Sequence, residues 1–129
     1  MIDWTQVVTV EDKATKALAS LMQQVAAVRY ENEIKGIIVQ GIPVDTGRDS
    51  QGLIAGACLA AVLDPEYSVN WKCPGGTFIQ LTAQQIIGVA TAVRAHVQAC
   101  FDREHQLLTA IEANEYTAEM LATGWPSNE

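Results

Sequence analysis

The stretch VDTGRDSQGLIAG, Val44–Gly56, decides how the chain is read. It sets an arginine, two aspartates, a serine and three glycines among apolar residues. A phosphate loop, a nucleophile elbow and a strand-to-helix junction could each use that mixture. A phosphate loop needs G-x-x-x-x-G-K-[ST], because the lysine and hydroxyl that meet the phosphates and their metal follow the second glycine. Gly47 and Gly52 have that separation, but Leu53 and Ile54 follow. A nucleophile elbow needs G-x-S-x-G, and Gly47-Arg48-Asp49-Ser50-Gln51-Gly52 holds one residue too many. A junction remains, with Asp49 or Ser50 suited to cap a helix over about residues 50–63. In that helix Leu53, Ile54, Ala57, Cys58, Ala61 and Val62 share one face. Gly52 and Gly56 each weaken it by up to about 1 kcal/mol against alanine, which predicts close packing on their side.

Upstream, residues 37–44 are β-rich, and Gln40-Gly41 suits a tight hairpin turn. Pro43 cannot donate to a ladder, so its strand is expected at an edge. Further back, Thr9 followed by Asp12 predicts a helix start. Ala14, Leu18, Leu21, Val25 and Val28 then form a narrow apolar stripe of the coiled-coil kind. Residues 1–35 thus read as a helical arm preceded by a short extended tip that carries Trp4.

Downstream, Asp64-Pro65 stops the helix, and Tyr67, Val69 and Trp71 alternate with polar residues as in a half-buried strand. Cys73-Pro74-Gly75-Gly76 turns the chain and residues 77–81 return, a second hairpin. Thr82 and Gln85 make a capping box for a long helix reaching about Ala113. Its stripe is Ile86, Ala90, Val93, Val97, Cys100, Glu104, Leu107 and Ile111. Tyr116, Met120, Leu121 and Trp125 are docking candidates in the tail. The expected fold is α+β: two β-hairpins and a short helix form a compact head, with an N-terminal helix and a long C-terminal helix. Three segments are expected: the arm, 1–35; the α+β domain, 36–113; and the C-terminal tail, 114–129.

A chain of 129 residues, half apolar, is long enough to bury one real core. Its net charge of −7 repels phosphate backbones and anionic lipid, so neither nucleic acid nor membrane is expected as a partner. The carboxylates are too scattered for a DNA mimic. The longest apolar run, Ala57–Leu63, is far below the roughly 20 residues of a membrane span. Met1-Ile2-Asp3-Trp4 lacks a basic region before an apolar run, so no secretory signal is expected. Cys58, Cys73 and Cys100 form no C-x-x-C pair, which fits synthesis in a reducing cytoplasm.

His96 and His105 lie nine residues apart without zinc-ligand spacing, and no metal or cofactor is expected. Cys100 and His96 share a helix face at i, i+4, but an apolar seam disfavours a thiolate there. A hydrolase using Ser50 or Cys100 is therefore a weak alternative. Trp71 reads as core. The residues expected to meet a partner are Trp4, Leu18, Leu21, Val25, Leu107, Ile111 and Trp125, on the arm, the long helix and the tail.

Three segments carry a family likeness: GIPVDTGRDSQGLIAGACLAA, YSVNWK and FIQLTAQQIIGVATAVRAHVQACFDREHQLLTAIEA. Over about residues 36–113 the chain resembles a domain of unknown function found in tailed phages and prophages. That domain occurs at the C-terminal end of tail-fibre assembly proteins or as a short protein encoded beside tail-fibre genes. Gln40 stands where relatives often have asparagine. The resemblance implies tail biology and no reaction. The function it leads us to expect is a non-enzymatic tail protein, a structural adaptor that binds or supports the fibre in the virion tail after synthesis in the host cytoplasm. A fibre or baseplate protein is the expected partner, and a homo-oligomer, including a trimer matching fibre symmetry, is compatible with the seams. The alternative is a fibre-assembly chaperone that acts in the cytoplasm and is not retained. Deleting residues 1–30 is expected to leave a folded domain with weakened partner binding.

Overall fold

The computed structural model describes the backbone of residues 4–128 and the side chains of residues 10–128. The elements are α1 (Trp4–Glu33), β1 (Ile37–Val39), β2 (Ile42–Val44), α2 (Arg48–Leu63), β3 (Ser68–Lys72), β4 (Phe78–Thr82), α3 (Ala83–Glu112) and α4 (Ala118–Leu121). This is the expected α+β fold, with two separate antiparallel hairpins, β1–β2 and β3–β4. The helix start differs from the reading at Thr9. Trp4 already lies in α1 rather than in an extended tip, and residues 1–3 fall outside the described ones.

The local chemistry explains most boundaries. Gln40 and Gly41 both take positive φ (52° and 79°), as a two-residue turn matched to strand twist requires. β1 and β2 pair as Ile37↔Val44, Ile38↔Pro43 and Val39↔Ile42. The Thr82 hydroxyl accepts from the Gln85 amide while the Gln85 side chain accepts from the Thr82 amide, closing the capping box of α3. α2 departs from expectation: Gly47 is its N-cap with no side-chain cap bond, and Asp49 stands in the first turn instead.

α3 is the spine. Toward its start, Val89 and Val93 pack with Ile37, Val44 and Ile54, while Ala83 and Ile86 pack with Ala61 and Leu81. Trp71 touches both clusters and so ties the second hairpin to the first. Toward its end, Leu107 and Ile111 enclose Val25 of α1, with Tyr116, Met120, Leu121 and Trp125 against them. The tail docks as its apolar residues suggested. Trp125 donates its indole N–H to the Leu121 carbonyl at 2.7 Å. The Ile38 amide donates to the Asn128 carbonyl at 2.7 Å, so the tail also occupies the edge of β1.

α1 runs antiparallel to α3, since Asn32 meets His96, Arg29 meets Glu104, and Val25 meets Leu107 and Ile111. α3 ends at Glu112, opposite the middle of α1. Among the described residues α3 therefore does not reach residues 10–20, which are exposed throughout. The arm is thus two pieces: a free half and a half built into the core.

Candidate functional site

The opening stretch proves to be a structural knot around one carboxylate. Glu33, in the last turn of α1, is 1 % exposed. Its Oε1 accepts from Arg29 at 2.7 Å and from Arg48 at 3.1 Å, and its Oε2 accepts from Arg48 at 2.8 Å and Gln51 at 2.9 Å. Burial alone would raise this carboxyl, but the hydrogen bonds from Gln51, Arg48 and Arg29 outweigh it and hold it below its ordinary value. The Thr46 hydroxyl donates to the Glu33 carbonyl and accepts from the Gly36 amide, so it closes the end of α1. Arg29 carries the network on to Glu104 and lies over the Phe101 ring, 4.5 Å from its centre. That contact explains an acid within the apolar stripe of α3. Glu33 was not singled out from the sequence. Its signal was an acid in a last turn, where the helix dipole disfavours it, four residues after an arginine.

His96 and Cys100 are both buried, and the Cys100 sulfur lies 3.8 Å from His96 Nε2. Nε2 also lies 2.8 Å from the Asn32 carbonyl, an acceptor only, so the network assigns the proton to Nε2. A protonated Nε2 cannot take the thiol proton, and burial pushes the Cys100 thiol up. His96 Nδ1 is buried without a partner among the described residues. The pair is therefore not arranged as a thiolate and its base. The Ser50 hydroxyl makes no hydrogen bond among the described residues, and Ser50 lines an open groove. His105 is exposed on α3.

The expected partner-binding residues fall into four sets. Val25 and Leu107 are 0 % exposed and Ile111 is buried, so in the folded chain they face each other and not a partner. Leu21 and Trp125 are half-buried against the same cluster. Leu18 is exposed on the free half of the arm. The Trp4 side chain lies outside the described residues.

The uncovered apolar surface lies elsewhere, on α2. Leu53, Leu59, Val62 and Leu63 of this sixteen-residue helix are all exposed, Leu63 at 76 %. Beside it an open groove of about 920 Å³ separates α2 from the second hairpin. Gly52, Leu53, Gly56 and Ala57 form one wall, and Tyr67, Val69, Trp71 and Phe78 stand on the other. The close packing expected at Gly52 and Gly56 is absent: a Cβ on either would meet nothing within 4 Å. These glycines keep a groove open. A lone Gly-Ala helix reads alike in both cases, which is why the sequence did not separate them.

The molecule is thus an α+β domain with a buried ionic knot and, among the described residues, exposed apolar side chains on α2 and on the first half of α1. Residues 16–123, most of the chain, match the family described as "Domain of unknown function (DUF4376)", and the chain belongs to that family. The match takes in the buried half of α1, both hairpins, α2 to α4 and the tail as far as Thr123. No curated protein and no solved structure matches the chain.

Proposed function

We propose that this chain is a non-enzymatic bacteriophage tail protein, a structural adaptor that binds or supports the tail fibre through the α2 face. The observation that carries this reading is the exposure of four large apolar residues on one helix, Leu53 in the wall of a groove kept open by two glycines and Leu59, Val62 and Leu63 at the C-terminal end of the helix. Exposed apolar patches on a folded domain are costly in water and mark surfaces that another chain covers. The resemblance of the GIPVDTGRDSQ, YSVNWK and FIQLTAQQ segments to a tail-associated domain supplies the tail context. The free half of α1, with Val10, Leu18 and Met22 exposed, offers a second surface for self-association or for a baseplate neighbour.

Filling the groove tests this reading. In Gly52→Leu/Gly56→Leu the new side chains enter open space, and glycine leaves a helix interior, which by itself stabilises by roughly 1 kcal/mol per site. The variant is expected to melt no lower than the parent and to lose most of the fibre protein that co-purifies with the parent from a co-expressing cell. Unchanged fibre retention in a folded variant would remove this groove from the binding surface.

A further inference from the structure

We propose that the groove between α2 and β3 holds an extended segment of its protein partner as a third strand on β3, a segment of alternating apolar residues flanked by basic ones. This rests on the reading of the α2 face as the partner surface and names how the partner is held.

The phase of the β3–β4 ladder fixes which backbone groups are available. The Cys73 amide donates to the Thr77 carbonyl at 2.7 Å. With the register Trp71↔Ile79 and Val69↔Leu81, those pairs exchange the ladder bonds, because hydrogen-bonded pairs alternate along an antiparallel ladder. The N–H and C=O groups of Ser68, Asn70 and Lys72 therefore point away from β4. An independent contact agrees with this phase. Thr82, outward by the same alternation, has its amide bound by the Gln85 side chain and not by β3.

The outward side of β3 faces the groove. Residues 69–76 all line it, whereas Phe78 is the contribution from β4. A strand added there lies about 4.8 Å from β3, and Gly52 and Gly56 leave the α2 wall bare where its side chains would pass. Side chains pointing to the inner face of that strand meet Leu53 of α2, exposed at 67 %, whereas Phe78 stands with Asn70 and Lys72 on the outer face of the hairpin. Main-chain bonds would supply affinity and the inner apolar contact would set the alternation.

Charge selects the partner. Among the lining residues Asp45 and Lys72 offset each other, and the acidic bias comes from Asp64 and Glu66 beside the groove, where α2 passes into β3, and from the chain as a whole. The chain carries −7 overall, so a second copy brings like charge to this face, and a basic segment brings the opposite.

The test uses the full chain labelled with ¹⁵N and a capped synthetic peptide, Lys-Val-Thr-Val-Thr-Val-Lys. Two comparison peptides accompany it: one N-methylated at the residues whose amides would face β3, and one with glutamate in place of lysine. Binding should slow amide exchange at Asn70 and Lys72 and leave the already paired Val69 and Trp71 unchanged. Each comparison peptide should bind about tenfold more weakly, the effect of one or two lost hydrogen bonds or of reversed charge. Equal binding of the N-methylated peptide, or no protection of Asn70 and Lys72 at millimolar peptide, overturns strand addition. Protection that rises with protein concentration and no peptide makes a second copy the occupant and overturns the choice of partner. No tail component enters this experiment, so its failure is separate from failure of the tail assignment.

Discussion

Replacing Glu33 by alanine is expected to lower the free energy of unfolding by about 3 kcal/mol, the lower end of what removing one partner from a buried ion pair costs. The lower end applies because Arg48 is more than half exposed and water takes over part of its charge. Arg29, only 14 % exposed, cannot recover in the same way and keeps Glu104 and the Phe101 ring. The Gln51 side chain keeps its bond to the Thr46 carbonyl, so the loop itself should persist. The effect depends on pH with a definite sign. The Glu33 carboxyl titrates lower in the folded chain than in the unfolded one. Its stabilisation is complete above the unfolded value of about 4.3 and is lost as pH falls through the lower folded value. Urea melts at a series of pH values should therefore show parent and variant far apart near neutrality and converging in acid. A constant gap across the series would mean that the carboxylate charge is not what Glu33 contributes.

Truncating the arm at two positions separates its halves. Removing residues 1–19 takes away side chains that, from residue 10 onward, are exposed, and should change stability by no more than about 0.5 kcal/mol. Removing residues 1–30 is different, and the burial of Val25 replaces the expectation of a folded remainder with the opposite one. Val25 is fully enclosed by Leu107 and Ile111, and losing its burial alone costs about 1.5–3 kcal/mol. Leu107 and Ile111 are then bared, and Glu33 and Glu104 lose Arg29. Together these losses approach the 5–15 kcal/mol that holds a typical domain folded. The shorter chain should lack a cooperative thermal transition, while the 20–129 chain keeps one. A cooperative transition in the 31–129 chain would show that α1 is not part of the core.

Much of this architecture is written in local signals. The Gln40-Gly41 turn, the Thr82–Gln85 capping box and the period-two run from Tyr67 to Trp71 each specify their geometry within a few residues. The stripe of α3 was legible for the same reason, because 3.6-residue periodicity needs no knowledge of what covers it. What covers it was not legible. Leu107, Ile111 and Val25 have the pattern of a partner-facing seam, and their mutual burial depends on α1 folding back antiparallel along α3, a long-range choice. The same limit hid Glu33, whose four donated bonds come from residues four, fifteen and eighteen positions away. Gly52 and Gly56 were noticed, but composition cannot say whether a small residue admits a neighbour or leaves a space.

The proposed placement of this chain in a phage tail is tested most directly by mass spectrometry of purified virions, with its copy number set against a tail component of known stoichiometry. A fixed multiple of three or six is the result expected of a structural adaptor at the fibre. Absence from virions would contradict that role. If the chain were then recovered bound to fibre protein in infected-cell lysate, it would be an assembly chaperone that leaves once the fibre is built.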